Sequence, residues 1–321
     1  MRLRPFALAA ALALASYAVH AQTTPVIIDT DVGDDVDDAF AIDLALASPE
    51  LHILGITSAW GDTQLRARMI DRMLCETGRD EIPVNKGIPT KSGAMFTQAP
   101  WAKAGIERPH KDGVAFLLDQ AKAHPGEITL LALGPLTNIG AAIDRDPEGF
   151  RKLKRVVLMG GSVHLGYGPA GTAPEPEYNI ARDPASAQKL LRSGVPLYFL
   201  PLDSTQIKFT NAKKSELASI STPMTDALQV LVAEWMRGTK HEEETLFDAV
   251  AAAYTFDAAS CPMTPLHLEI DNKGMTIPGP GAPNANACLT AKPEAFFDIL
   301  MPRLLHQNLV GNKVCMAQPA K

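Results

Sequence analysis

The chain has 321 residues, 46% of them hydrophobic and 21% charged, which is enough apolar material for one large core under a solvated surface. A formal net charge of −6 leaves no basic excess to offset phosphates and argues against a nucleic-acid or anionic-membrane partner. The chain opens with Arg2 and Arg4, an apolar run from Phe6 to Ser16, and the small-residue site Val19-His20-Ala21. That pattern predicts a signal peptide over 1–21 and one mature domain over 22–321, in the periplasm or secreted. The apolar run is well short of the roughly 20 residues that span a bilayer, so no membrane anchor is expected.

Strand and helix signals then alternate. Pro25 to Ile28 is a β-rich run ending in Asp29, and Asp38 to Ala47 carries apolar residues at helical spacing. A strand at His52–Ser58, a helix at Gln64–Glu76 and a short strand near Pro83-Val84 follow. After a Gly- and Pro-rich loop come a helix at Gly113–Ala123, a strand at Ile128–Leu133, a helix from about Thr137 and a strand at Arg155–Met159. A helix at Pro184–Arg192 leads into a strand at Pro196–Leu200. The stretch Asn211–Ala259 is mainly helical, Leu266–Ile277 is β-rich, Pro278–Asn286 has the composition of a flexible loop, and a helix over Pro293–Leu305 closes the chain. Near-continuous apolar strands alternating with helices predict an α/β fold: an open, mostly parallel, Rossmann-like sheet with helices on both faces, helical insertions and a small C-terminal β piece.

Four cysteines, Cys75, Cys261, Cys288 and Cys315, are too widely spaced for a zinc knuckle. In an oxidising compartment the four could pair, in any of three full pairings among which the sequence does not choose. Cys261, Cys288 and Cys315 all lie in the C-terminal region, while Cys75 sits in a helical pattern and reads first as a buried apolar filler.

In open α/β sheets ligands bind beyond the carboxyl ends of the strands. The first strand delivers Asp29-Thr30-Asp31-Val32-Gly33-Asp34-Asp35-Val36-Asp37-Asp38, six aspartates in ten residues. Such a cluster repels itself unless a cation neutralises it, and all-oxygen ligation suits Ca²⁺ or, second, Mg²⁺. A solvated acidic loop with a helix cap is the plain alternative. Against it stand the apolar strand running in and the patterned helix running out.

This segment resembles the N-terminal signature of the inosine–uridine-preferring nucleoside hydrolases, DTDPGxDDAxAI. The chain keeps Asp29-Thr30-Asp31, Gly33 and Asp37-Asp38-Ala39-Phe40-Ala41-Ile42, with Val32 for proline and two extra residues before the Asp pair. Asp34-Asp35 offers a rival register, and the helical continuation after Asp38 favours Asp37-Asp38. Leu133-Gly134-Pro135-Leu136-Thr137-Asn138 resembles the family's GPLTN turn. Met159-Gly160-Gly161 resembles its MGG, Glu177-Tyr178-Asn179 with Asp183-Pro184 its EFN…DP element, and Leu246-Phe247-Asp248-Ala249 its HDAxA helix start.

The resemblance implies a calcium ion on Asp31, Asp38, Asp248 and the Leu133 carbonyl, with Asp31 also the general base toward a bound water. It implies that Asp37, Glu177 and Asn179 grip the ribose, that Met159 lines the substrate side, and that the substrate is a ribonucleoside cut to ribose and free base. It further implies a homo-oligomer. Two departures stand out. Phe247 replaces the histidine that can protonate a leaving purine, and Gly61-Asp62-Thr63 replaces GNxT, leaving Asp62 as the ribose-side candidate there. His110, in Arg108-Pro109-His110-Lys111-Asp112-Gly113, loosely resembles the HGxxG loop beside the base, although a lone polar-loop histidine is commonly just solvated. Trp60, Trp101, Trp235, Tyr167 and Tyr178 could stack on a base or simply pack. Two rival functions are a haloacid-dehalogenase-like Mg²⁺ phosphohydrolase, with Asp29 as nucleophile and Asp31 as acid/base, and an exported nucleoside- or sugar-binding protein. The first leaves Asp37-Asp38, GPLTN and EYN unexplained, and the second has no need for so many carboxylates.

Overall fold

The β-branched run after Thr24 forms the first strand, β1 (Thr24–Thr30), and its alternate side chains enter different cores: Val26 and Ile28 one face, Ile27 the other. A strand apolar on both sides must be covered on both sides, and helices do so throughout. A computed structural model describes residues 23–311 and 313–317, so the expected signal peptide lies outside the described residues.

The remaining strands are β2 (Leu51–Ser58), β3 (Val84–Lys86), β4 (Lys111–Asp112), β5 (Thr129–Ala132), β6 (Arg155–Met159), β7 (Leu197–Leu200), β8 (Met263–Ile270), β9 (Thr276–Gly279) and β10 (Ala285–Cys288). They form one sheet in the order β4-β3-β2-β1-β5-β6-β7-β10-β8-β9. Pairing is parallel from β4 to β10 and antiparallel at β10–β8 and β8–β9. The chain fills one side of β1 with β2, β3 and β4, then crosses to its other side with β5. The carboxyl ends of β1 and β5 therefore flank a topological switch point, where open sheets leave a crevice for ligands. Among the described residues no helix is long and apolar enough to cross a membrane.

The helix Asp37–Leu46 is buried along its whole length and packs on the helix Phe247–Phe256. Both helices are rich in small residues, Ala39, Ala41 and Ala45 on one and Ala249, Ala251, Ala252 and Ala253 on the other, all 1% exposed or less. Small side chains let the axes approach closely, which brings the two helix starts together.

The expected small C-terminal β piece is joined to the main sheet, because β10 pairs with β7 and carries β8 and β9 with it. Two expectations are corrected. The proline-rich stretch 278–286 belongs partly to strands: Pro278 sits in β9, the sheet's edge, where a missing N–H breaks no ladder. Cys75 is buried, yet it is no mere filler. It is bonded to Cys315 (Cα–Cα 5.6 Å), and Cys261 is bonded to Cys288 (5.7 Å). A pairing across 240 residues leaves no local sequence signal.

Candidate active site

The end of β1 is fixed first. Asp29 accepts hydrogen bonds from Thr57 of β2 and from Asn138 Nδ2 (2.8 Å), and the same Nδ2 reaches the Ser58 carbonyl (3.1 Å). The asparagine of the GPLTN turn thus ties three strand ends together. Gly134 is needed for proximity: a Cβ there would lie 2.7 Å from Asp31 Oδ1. The turn after β1 needs its glycine too, since Gly33 has φ +124° and a Cβ would enter the Phe96 ring.

Asp38 accepts from Thr30 Oγ1 (2.5 Å), and the Asp248 amide donates to Asp37 Oδ2 (3.0 Å). Asp37, Asp38 and Asp248 each offer a carboxylate oxygen within 4.8 Å of the others, and all three are buried. Asp31 stands beside this trio. Burial pushes its carboxyl well above the usual range, the Asp38 charge adds to the rise, and Arg66 opposes it. Burial likewise raises Asp38 to about 7 and Asp35 to about 6. Asp37 and Asp248 also rise well above the ordinary range, through burial first and then through neighbouring carboxylates.

Buried like charges in close range ask for a cation. Protein supplies Arg66, a side chain 1% exposed that donates to the carbonyls of Asp31 and Val32 (3.0 Å to the latter) and to Asp34 Oδ2 (2.8 Å), while Lys208 acts on Asp35. One guanidinium and one ammonium do not balance this many carboxylates. The hard-oxygen donor set left over suits a divalent ion of the Ca²⁺ or Mg²⁺ kind.

The opposite wall comes from the loop after β6. Glu177, 1% exposed, caps the helix Tyr178–Arg182, accepting from the amides of Asn179 (2.9 Å), Ile180 (3.1 Å) and Gly161 (2.9 Å). Burial raises its carboxyl, and those amides oppose the rise. Asn179 Nδ2 donates to the carbonyls of Leu133 (2.8 Å) and Met159 (3.1 Å), leaving the Leu133 oxygen one lone pair for an ion. Phe247 meets Tyr167 edge-on at 6.0 Å. The Tyr178 hydroxyl is raised by burial and then by the negative charges of Asp31 and Asp34, with Ser92 and Arg182 acting in the opposite sense.

A cavity of about 440 Å³ gathers Asp31, Asp37, Asp38, Leu133, Met159, Glu177, Asn179 and Asp248 on one lining, a volume suited to a small ligand. Asp34 and Asp35 also line it, although they lie nearer solvent than Asp37 and Asp38. Two expected residues are not brought there. Asp62 caps the helix Thr63–Glu76 by accepting from the Leu65 amide (3.0 Å), so its carboxylate is spent at the helix end. His110 is held by Asp71 (2.8 Å) and by Gln64 (3.5 Å), a structural pair away from the cavity. Sequence reasoning missed Arg66, because its partners lie 32 to 35 positions earlier. It also missed the rim formed by Ala94, Met95 and Thr97.

The fold and site together define an open, Rossmann-like α/β protein with a buried carboxylate centre at the switch point. The family described as inosine-uridine preferring nucleoside hydrolase matches residues 26–298, and the chain belongs to this family of N-glycosyl hydrolases. A probable uridine nucleosidase 2 of Arabidopsis thaliana is 36% identical over 214 residues, covering 60% of this chain and 64% of that protein. A pyrimidine-specific ribonucleoside hydrolase, RihA, of Salmonella arizonae is 28% identical over 310 residues, 87% of this chain and 98% of that one. The solved structure of a plant nucleoside hydrolase, PpNRh1, superposes with a TM-score of 0.77 at 24% identity, covering 88% of this chain and 99% of that chain, a likeness of fold.

Proposed function

We propose that this chain is an exported, calcium-dependent ribonucleoside hydrolase, with pyrimidine ribosides such as uridine as its first substrates to test. The observation that carries the reading is the buried convergence of Asp38 and Asp248 with Asp37 beside Asp31. By family resemblance Asp31, Asp38, Asp248 and the Leu133 carbonyl hold the ion. When bound, a divalent ion of this kind lowers the pKa of a coordinated water and grips hydroxyl oxygens.

The chain's own residues supply the rest. Asp31 accepts the proton of the attacking water as general base. Asp37 and Glu177 accept from ribose hydroxyls. Asn179, with Nδ2 committed to two carbonyls, offers Oδ1 to the sugar. The surrounding carboxylates favour the positive charge that builds on the ribosyl ring as the bond to the base breaks. The two disulfides fit an oxidising compartment, consistent with periplasmic or secreted location, and the resemblance extends to a homo-oligomer. The names of the Arabidopsis and Salmonella relatives favour pyrimidine over purine substrates.

A substrate panel tests this. Uridine, cytidine, inosine and their 2′-deoxy analogues, scored for released sugar and base, should show turnover of the ribosides. Phosphate release from nucleotides without ribosidic cleavage would favour a phosphohydrolase, and tight binding without turnover would favour a binding protein.

A further inference from the structure

The loop that carries Asp31 into the first helix is two residues longer than the signature it resembles, and it is buried or half-buried throughout. Its carbonyl oxygens need donors, because a buried carbonyl left unpaired costs free energy. Each has one. Arg66 Nη1 donates to the carbonyls of Asp31 and Val32, the latter at 3.0 Å. The Gln98 amide donates to the Gly33 carbonyl (3.1 Å), Thr97 Oγ1 to the Asp34 carbonyl (2.8 Å) and Gln98 Nε2 to the Asp35 carbonyl (2.6 Å). The Val36 carbonyl then accepts from the Ala39 amide (3.1 Å), which starts the helix. Three successive carbonyls in the middle of the loop are thus held by one neighbouring pair, Thr97-Gln98.

Gln98 is the less ordinary of the two. It is 0% exposed and stands at the N-cap of the helix Ala99–Ala104, where a short polar side chain usually accepts from its own helix. Gln98 makes no such cap bond. Its side chain reaches instead across 63 positions of sequence to Asp35, and its Oε1 is left buried without a hydrogen-bond partner. A buried, unpaired amide oxygen calls for an explanation, and the bond that the same amide makes to Asp35 is the one on offer. The segment is anchored on both sides. The Phe96 ring lies where a Gly33 Cβ would go, and the Arg66 guanidinium is 5.0 Å from that ring's centroid, so the two clamps on the loop touch each other. Further along, Arg72 Nη1 donates to the Trp101 carbonyl (2.7 Å), and the Trp101 amide donates to Glu234 Oε2 (3.3 Å).

We propose that Gln98, with Thr97, is a positioning residue of the carboxylate centre. The pair clamps the backbone over 33–35 and so fixes Asp31, before the loop, relative to Asp37 and Asp38, after it. The proposal rests on the metal-dependent nucleoside-hydrolase reading of the site. Neither residue touches the ion in this role; both act through the loop. Oxygen ligands of calcium must converge to about 2.3–2.6 Å from one point. A longer loop has more ways to place its two ends, and each additional arrangement draws the carboxylates away from that point. The clamp removes this freedom before an ion arrives, so less ordering is left for binding to impose. Thr97 also lines the cavity, which sets the clamp between the ligand space and the loop.

Gln98→Met keeps the volume and removes the donor. Calcium binding measured by calorimetry should weaken about tenfold, the lower end for loss of an outer-shell support. Thr97→Val, nearly isosteric, should weaken it in the same direction. Asp35→Ala is the matched control: it removes a carboxylate but keeps the carbonyl that Gln98 holds, and it should keep most of the calcium affinity. Asp112→Ala removes the cap of the helix Gly113–Ala123 and should lower Tm without moving calcium affinity. Hydrogen exchange of the calcium-free protein gives a readout that needs no ion. The amides of residues 32–36 should exchange about tenfold faster in Gln98→Met than in wild type. Wild-type calcium affinity in both Gln98→Met and Thr97→Val would overturn the proposal. So would a lower Tm in Gln98→Met with calcium affinity and loop exchange unchanged, the pattern of a merely structural residue. A wild-type protein that binds no calcium and releases no ribose would sink the proposed function instead. Loop exchange then decides the clamp by itself: faster in Gln98→Met it stands, and unchanged it falls.

Discussion

The Asp248 amide donates to Asp37 Oδ2 at 3.0 Å across 211 positions of sequence. This bond joins the starts of two helices that carry three of the clustered carboxylates, so the centre is assembled by helix packing rather than by one loop. Asp38→Ala and Asp248→Ala should each lower calcium affinity measured by calorimetry and reduce ribose release by about 10²–10³-fold or more. Asp35→Ala, at the more exposed turn, should keep most of both. Loss of activity in Asp35→Ala with Asp38→Ala spared would show the rival register to be the working one.

The pH dependence of stability follows from the raised carboxyls. Asp29 and Asp35 stand at about 6 and Asp38 at about 7, each raised by burial above the ordinary value near 4. Between the unfolded and folded values the folded chain holds more protons than the unfolded one, so stability falls as pH rises. The chelated protein should therefore lose Tm steadily from about pH 4 to about pH 7. Calcium, binding only the folded state, should reverse the loss most at the upper end of that window. A flat profile in chelator would mean the carboxylates are not strained together without an ion.

Arg66 is one of the protein's own counter-charges to the cluster, and it also holds the loop between β1 and the first helix. Arg66→Met keeps the volume and removes the charge. Breaking a buried ion pair on one side typically costs about 3–5 kcal/mol, and the denaturation midpoint should drop accordingly. Added calcium should recover part of it. A loss below about 1 kcal/mol would show the pair with Asp34 to be as weak as a surface bridge.

Much of this was legible in sequence for a physical reason: strand β1, its aspartates and the helix after them are local, and periodicity marks them. The expected elements from β1 to β7 fall within a residue or two of their bounds, whereas the two-residue strand β4 and the short helices Ala99–Ala104, Pro147–Phe150 and Tyr178–Arg182 were not expected. What escaped depends on distant partners. Arg66 is ordinary until folding places it under Asp31, and Cys75 reads as a filler until Cys315 arrives. Asp62 misled because a strand-end Gly-Asp-Thr serves equally well as a helix cap. His110 misled because a polar-loop histidine shows no sign in sequence of the Asp71 that holds it.

Leaving-group chemistry gives a separate prediction. Phe247 lies at the cavity wall against Tyr167, where an imidazole could reach a departing purine. Phe247→His should raise inosine turnover by about tenfold and leave 4-nitrophenyl riboside little changed, a smaller gain than the roughly 10²–10⁴-fold of a fully positioned general acid. His110→Ala should show no such selectivity, only a stability loss of about 1–3 kcal/mol from Asp71 left unpaired. Equal effects of Phe247→His on both substrates would assign Phe247 to pocket shape.

The most direct measurement is ribose release from uridine by the purified protein, followed while calcium is stripped with chelator and then titrated back. A calcium-dependent hydrolase should fall to background on chelation and recover in step with calcium binding measured on the same sample. Undiminished ribose release from fully chelated protein would contradict the carboxylate centre as a metal site, and no ribose release at saturating calcium would contradict the proposed activity.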